Sequence, residues 1–458
     1  MICIRKPESV FLFFGFVFGM AMLFLTPPFQ VPDEAVHFYR AIHISQGEMI
    51  AEVQNNTAGG VIPENAFQTG AQLAIYLAFN PQSKQSFEKL SFFLNLPPEP
   101  GKQRFTKNHS LYSPVSYLPQ VLGVAIGRVL HLPWLKTMYI GRFTTLIFWL
   151  LCTYIAIKTI PVSKWLLVVL SLSPMVLFQA ASLSADSPTN ALSFLFIALV
   201  LRNSVENELH IRKLIVMLML AVLISLSKPI CVFLVFLFLL IPVRRADINK
   251  YAVCFILILL SSAGLIMLWM YLIKDVYVAF HNWRPLPAGQ VVSSSEQVRF
   301  ILSHPLQYMQ VMLNTTRIHG TEILESFVGK LGWMDTALPR WLLFLHGGVL
   351  LFYALTDSSK DVIFSYWQKT VISVVFFGTI VLIYTSIYMS WTPVGSPAVQ
   401  GLQGRYFIPI GILFFLLFYN RRLHIKPDIL GRITGFYVPC MLTTVVVVLI
   451  NRYYVQLF

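Results

Sequence analysis

Long apolar runs divide this chain and constrain its fold more than any motif does. They cover about eleven segments, residues 9–26, 137–157, 164–182, 187–201, 213–228, 229–243, 251–273, 340–356, 368–390, 404–419 and 433–450. Hydrophobic residues make up 56% of the 458 residues and charged residues only 12%, whereas a soluble domain carries roughly 25%. The sequence therefore predicts an all-α polytopic membrane protein, in which 1–458 form a single integral membrane domain.

A twelfth segment, residues 112–131, decides the predicted topology. It is apolar enough to cross a membrane, but it contains two prolines and Arg128. If it stays on the outer side, five basic loops face the cytoplasm, namely Lys158–Lys164, Arg202–Lys213, Arg244–Lys250, Asp357–Lys369 and Arg421–Lys426. If it crosses, all of these loops invert. We therefore expect about 11 transmembrane helices (12 if 112–131 span), with Arg5 and Lys6 in the cytoplasm.

The charge balance fits this topology without a nucleic acid partner. The formal net charge is +14, and the Lys and Arg residues concentrate in short loops between apolar runs. That distribution follows the positive-inside rule and favours contact with anionic membrane lipid. On the opposite side, 27–136 form a first outer loop with juxtamembrane helices, and 274–338 form a second large outer loop without a strong helical pattern. Loops of this length usually carry function. Because both loops are predicted on the same side, we expect them to form one vestibule.

An acidic pair stands directly after the first apolar run. Prolines separate that run from Asp33 and Glu34, and His37 follows one helical turn after Asp33. Acids in the first turn of a helix are favoured by the helix dipole, so a capped surface helix is one explanation. A general base of a membrane enzyme is the other. A carboxylate–histidine pair can also contribute to a divalent cation site, although two residues do not make one.

Two further acids lie near the predicted outer ends of apolar runs. Asp186 precedes Pro188, which suits a helix N-cap, but a capping carboxylate can also bind a ligand. Asp335 lies in GKLGWMDTALP, where turn chemistry alone explains an aspartate. Both stay candidates for substrate binding.

Three cations border the apolar runs on the same predicted side. Lys228 separates two runs without a loop of its own, and Arg142 and Arg405 lie near the start of others. A buried cation needs an anionic partner unless it snorkels to the interface. That partner is either a protein carboxylate or a lipid phosphate, for which the arginine fork is well suited. Outer-loop aromatic residues, including Tyr112, Tyr117 and Tyr406, fit an interfacial belt, and some are candidates for stacking on sugars.

Several segments together resemble a known family. PPFQVPDEAVHF, YSPVSYLP, SADSPTNAL, LSKP, GKLGWMDTALP and GLQGRYFIP are similar, in the same order, to segments of a family of bacterial multi-spanning proteins catalogued as a domain of unknown function and grouped with the GT-C superfamily of membrane glycosyltransferases. The PDE-x-x-H and QGRY elements are the most specific. The resemblance implies a GT-C-like fold, polyprenyl-phosphate sugar donors and inversion at the anomeric carbon. It also implies that Asp33 is the catalytic acid of the first outer loop, with Glu34 its neighbour, and that Asp186 and Asp335 match secondary acids.

The expected function is an inverting glycosyltransferase in the bacterial inner (cytoplasmic) membrane, with its active site facing the periplasm or cell exterior. The expected partners are a polyprenyl-phosphate-linked sugar donor, a glycan acceptor, membrane lipid, a donor-synthesising enzyme and a flippase, but no nucleic acid. Catalysis is assigned to Asp33 and Glu34, and no metal ligand is assigned, with a divalent cation left open as a cofactor. Substrate binding is assigned to His37, Arg142, Asp186, Lys228, Asp335, Arg405 and Tyr406. The alternatives are a transporter or flippase of lipid-linked saccharides and a non-catalytic accessory subunit.

Overall fold

The structure is a computed structural model that describes residues 6–99, 101–206, 211–242, 248–281 and 291–455. Arg5, residues 207–210 and 244–247 of two predicted basic loops, and residues 282–290 of the second predicted outer loop lie outside the described residues. The α-helices are, in chain order, α1 (Pro7–Leu25), α2 (Glu34–Ser45), α3 (Glu64–Ile75), α4 (Phe87–Asn95), α5 (Leu118–Val129), α6 (Trp134–Thr159), α7 (Lys164–Ser171), α8 (Pro174–Ala180), α9 (Asp186–Glu206), α10 (Ile211–Ser227), α11 (Ile248–Leu272), α12 (Lys274–His281), α13 (Ser294–Ser303), α14 (Pro305–Val328), α15 (Arg340–Thr356), α16 (Tyr366–Trp391), α17 (Gly411–Leu416) and α18 (Pro427–Tyr453). Described 3-10 helices cover Pro114–Tyr117, Pro229–Leu240 and Gly404–Ile410.

Six of the described helices are long and apolar enough to cross a membrane. They are α1, α6, α9, α11, α16 and α18. Shorter apolar helices cover Pro229–Leu240, α15 and Gly404–Leu416. The prediction of a mostly helical membrane protein is therefore confirmed, whereas the number of about 11 crossings stays a prediction.

Some predicted crossings are interrupted by proline. The run 164–182 divides into α7 and α8, and Pro174 begins the second helix. A 3-10 helix containing Pro409 precedes α17 in the run 404–419. Proline lacks an amide donor and cannot continue a regular helix. Nearly every residue of α7 and α8 is buried among other helices, and irregular backbone is tolerated at such depth only where protein covers it.

Residues 112–131 form no long helix. Their main element, α5, has 12 residues and so a length of about 18 Å, against a hydrocarbon core of about 30 Å. The chain then turns directly into α6, and α5 packs antiparallel on its first half. A Cβ atom on Gly123 would lie 2.7 Å from the Gly141 Cα, so the two glycines allow this close contact. This length is compatible with the expectation that the segment stays on the outer side, which remains a prediction.

The first outer loop contains a small sheet that the all-α prediction missed. Strands β1 (Glu52–Gln54), β2 (Thr57–Pro63) and β3 (Gln103–Lys107) pair antiparallel in the order β1-β2-β3. In β2, Gly59 and Gly60 lie against the backbone of Thr106 and the ring of His43, where a Cβ atom would clash. Consecutive glycines usually indicate a turn, which hid this strand from sequence analysis.

The second outer loop also has more regular structure than expected. Its described residues form α12, α13 and α14, followed by a hairpin of β4 (Lys330–Leu331) and β5 (Thr336–Ala337). Both loops gather at one end of the helix bundle. Lys84 of the first loop donates to the Asn451 carbonyl near the end of α18, at 3.0 Å, and Trp333 of the hairpin donates to the Phe29 carbonyl, at 3.1 Å.

The two ends of the bundle can be assigned to compartments by labelling. His131 is exposed in the turn between α5 and α6, and Arg421 is exposed between α17 and the start of α18, at the other end. With the predicted orientation, His131→Cys should react with a membrane-impermeant thiol reagent in intact spheroplasts, and Arg421→Cys only after permeabilisation. The reverse pattern would invert the topology. The background is set by the five native cysteines, and of the four in the described residues, Cys152, Cys231, Cys254 and Cys440, Cys440 is exposed.

Candidate functional site

Asp33 lies after the C-terminal end of α1, immediately before α2. Its backbone is left-handed (φ 63°), a conformation that aspartate tolerates better than most residues and that often marks functional positions. The side chain is 44% exposed, and its Oδ2 atom is 3.8 Å from Nε2 of His109. The structure therefore presents this carboxylate to solvent at the mouth of the bundle.

Aromatic side chains surround the carboxylate. The imidazole of His37 stacks on that of His109, with ring centroids 4.4 Å apart. Nδ1 of His37 is 2.8 Å from the hydroxyl of Tyr117, and the Tyr112 ring lies 6.3 Å from the His37 ring. These contacts join α2 to the segment that follows β3 and to the start of α5.

Electrostatics keep the Asp33 carboxylate ionised. Burial would raise its pKa, but His109 and Arg405 together hold the pKa below its ordinary value. Burial and the neighbouring His109 lower the pKa of His37 well below the usual range, so its imidazole is neutral. Burial also lowers the pKa of Lys107 to about 7, against the opposing charge of Asp33.

A second group of charges lies beside the first. Nζ of Lys228 is 2.9 Å from Oδ1 of Asp186, and Gln179 donates to Oδ2 of the same carboxylate at 3.1 Å. Arg405 approaches Oδ2 at 3.9 Å. The ring of Tyr406 lies 4.7 Å from Lys228 Nζ and 5.6 Å from the Arg405 guanidinium carbon. The anionic partner expected for Lys228 is thus a protein carboxylate.

The two groups form one polar cluster, called the outer polar cluster after the side on which the sequence predicts it; its members are Asp33, His37, His109, Asp186, Lys228, Arg405 and Tyr406. The charge of Arg405 acts on Asp33, and the charges of Asp186 and Arg405 act on His37. Arg405 also lines a small cavity that has an apolar wall, formed by Val31, Pro32, Met175, Phe178 and Met334. The cluster therefore joins an exposed carboxylate to buried cations next to apolar surface.

Glu34 and Arg142 do not fit the roles expected from the sequence. Both side chains are fully buried, and Nε of Arg142 donates to Oε1 of Glu34 at 2.8 Å. The other guanidinium donors are taken by Glu34 Oε2 and by three backbone carbonyls, those of Leu23, Thr26 and Pro27. Arg142 has no donor left for a phosphate, and Glu34 has no path to a substrate. The pair joins the end of α1 to the start of α2.

Asp335 is also separate from the outer polar cluster. Its Oδ2 accepts from Arg452 at 2.9 Å, and its Oδ1 accepts from Thr336 at 3.1 Å. Arg452 also donates to the carbonyls of Leu77 and Ser83 in the first outer loop. The carboxylate therefore fixes the β4–β5 hairpin to the end of α18, which does not support the substrate-binding role expected for it.

His109 and Lys107 carry no functional signal in the sequence, and Tyr112 and Tyr117 there fit an interfacial belt. His109 lies in TKNHSLYS, after a strand that was itself unrecognised. A lone histidine in a loop carries no signal unless its spatial neighbours are known. Among the described residues, no group of three or more His, Cys, Asp or Glu side chains is arranged to hold a metal ion. The divalent cation stays a hypothesis without a ligand set.

Comparison with known proteins gives a family but no activity. The family model described as predicted membrane protein (DUF2142) matches residues 16–414. No curated protein and no solved structure matches the chain. Because the matched region covers far more than half of the sequence, the chain belongs to the DUF2142 family of predicted membrane proteins.

Proposed function

We propose that the protein is an inverting glycosyltransferase that moves a sugar from a polyprenyl-phosphate donor to a cell-surface glycan or lipid-linked acceptor. The observation that carries the proposal is the partly exposed Asp33 carboxylate, on which the charge of Arg405 acts, in one cluster with Lys228, which is paired with Asp186. Glycosyl transfer of this kind needs one base and a stabilised phosphate leaving group. A lipid-phosphate donor also needs apolar surface next to the reacting groups, which the bundle supplies.

In the proposed reaction, Asp33 is the general base and polyprenyl phosphate is the leaving group. Asp33 accepts the proton of the acceptor hydroxyl while that oxygen attacks the anomeric carbon. The bond from the anomeric carbon to the phosphate oxygen breaks, and its electron pair leaves with the polyprenyl phosphate. Attack opposite the leaving group inverts the anomeric centre. Holding two substrates in line contributes most of the acceleration in such a mechanism.

Arg405 is the best candidate for holding the donor phosphate. It is buried, and its Nε has no hydrogen-bond partner among the described residues. A planar guanidinium binds phosphate oxygens through two parallel hydrogen bonds. Lys228 adds positive charge but is already bound to Asp186. It therefore stabilises the negative charge of the leaving phosphate without binding that phosphate directly. Tyr406 lies against both cations and keeps them side by side.

The proposal includes a place in the cell and a set of partners. The active site faces the periplasm or cell exterior of the bacterial inner membrane, in a GT-C-like fold with about 11 crossings. A separate enzyme makes the polyprenyl-phosphate sugar, and a flippase brings it to the outer face. The alternative, a transporter or flippase of lipid-linked saccharides, uses the same cations but has no need of a base at Asp33.

Replacing Asp33 by asparagine tests the proposal. Asparagine tolerates the left-handed backbone of this position, so the fold is retained while the base is lost. General-base catalysis contributes about 10²–10⁴-fold, so we expect the sugar to disappear from the glycan. The measurement is mass spectrometry of the surface glycans of a deletion strain carrying wild type or Asp33→Asn at equal membrane abundance.

Asp428→Asn is the matched control, because Asp428 is another solvent-accessible aspartate near the N-terminus of a helix, but lies at the other end of the bundle. This control should give the wild-type glycan. An unchanged glycan with Asp33→Asn would remove Asp33 as the base and favour the transporter.

A further inference from the structure

His109 lies next to Asp33 but has no role in the reaction proposed above. It follows β3, and its Nε2 is 3.8 Å from Oδ2 of Asp33. That nitrogen is buried and has no hydrogen-bond partner among the described residues. Hydrogen bonds of this type have lengths of about 2.7–3.2 Å, so a movement of less than about 1 Å would form one.

The ring of His109 is held on several sides. It stacks on His37, whose Nδ1 is fixed by the Tyr117 hydroxyl at 2.8 Å. The Tyr112 ring meets its edge at 5.9 Å, and the ring of Phe280 on α12 lies at 6.2 Å. Elements of both outer loops therefore fix the orientation of this imidazole toward one carboxylate oxygen.

We infer that His109 is a positioning residue for Asp33. Nε2–H of His109 donates to Oδ2, which leaves Oδ1 as the oxygen that takes the proton of the acceptor hydroxyl. A carboxylate free to rotate would present either oxygen at many angles, and a misplacement of about 1 Å can cost 10²-fold in rate. The hydrogen bond shortens when substrates close the site, as catalytic hydrogen bonds often do. This inference rests on the proposed glycosyl transfer.

Two substitutions separate the N–H group of His109 from its ring. His109→Phe retains an aromatic ring for stacking on His37 but removes the donor. His109→Gln retains a donor of similar reach but removes the ring. If positioning is the role, His109→Phe should lower the maximal rate by about 10- to 100-fold, and His109→Gln should restore most of it. The half-saturating amount of substrate should stay unchanged in both variants.

The assay uses the purified full-length chain and membranes from a strain that lacks it, which supply the natural donor and acceptor. Mass spectrometry follows the release of polyprenyl phosphate over a dilution series of membranes. His319→Phe is the matched control, because His319 Nδ1 lies 3.7 Å from Glu322 on α14, outside the outer polar cluster. This control should retain the wild-type rate.

The rates of the variants separate failure of this inference from failure of the proposed function. Equal loss in His109→Phe and His109→Gln, with both proteins folded by size-exclusion chromatography, would mean that the imidazole is needed for another reason and would overturn the inference. Full activity in His109→Phe, or a change confined to half-saturation, would overturn it as well. Retention of full activity in Asp33→Asn would instead refute the proposed function, so the two failures are distinguishable.

Discussion

Arg142→Gln should destabilise the folded protein by about 3–5 kcal/mol, the usual cost of breaking a buried ion pair by removing one partner. The change leaves the Glu34 carboxylate buried without its cation, and it removes the donors of three backbone carbonyls at the end of α1. Glu34 Oε1 also accepts from the Leu183 amide at 3.1 Å, so the damage extends to the approach to α9. We expect a much lower midpoint in a thermal unfolding assay in detergent and little protein in membranes.

Arg405→Gln is the matched control for this prediction. Arg405 is also a buried arginine, but its Nε lies 3.9 Å from Oδ2 of Asp186. That carboxylate is paired more closely with Lys228, at 2.9 Å. Its loss should leave the midpoint close to that of wild type while abolishing the glycan modification. If Arg142→Gln folds normally and Arg405→Gln does not, the division into a structural and a phosphate-binding arginine is wrong.

The sequence could predict where most helices lie, because apolar runs locate them without tertiary information. The runs 9–26 and 368–390 correspond closely to α1 and α16. It could not predict the sheet, because the glycines that let β2 approach Thr106 also resemble a turn. Pro174 marks a candidate break of the run 164–182 in the sequence, but the burial that tolerates this break depends on neighbouring helices that the sequence does not show.

Most residues of the site could be chosen from the sequence, but the side-chain contacts between them could not be predicted. A cation without a loop must have an anion, so Lys228 could be singled out, and Asp186 proved to be that anion. Arg142 and Arg405 are indistinguishable by the same reasoning. In the fold, Arg142 donates to Glu34 and to backbone carbonyls, whereas Nε of Arg405 has no hydrogen-bond partner among the described residues. This difference cannot be read from the sequence.

Asp186→Asn should also be severely destabilising, and its effect should be relieved by a second change. Asparagine leaves the Lys228 ammonium buried without its close carboxylate, at a cost of about 3–5 kcal/mol. Lys228→Met alone should cost less, because Asp186 still has Gln179 at 3.1 Å and Arg405 at 3.9 Å. The double variant Asp186→Asn/Lys228→Met removes both charges. It should recover much of the lost stability, with a coupling of about 0.5–3 kcal/mol between the sites.

The double variant also separates structure from chemistry at this pair. Thermal midpoints of the four proteins give the coupling, and glycan mass spectrometry of the same strains gives the activity. If Lys228 stabilises the leaving phosphate, the double variant should be folded and inactive, because methionine has no charge to offer. A folded double variant with a normal glycan would mean that the Asp186–Lys228 pair only holds α9 against the end of α10. Arg405 would then be the sole cation of the cluster left to meet the donor phosphate.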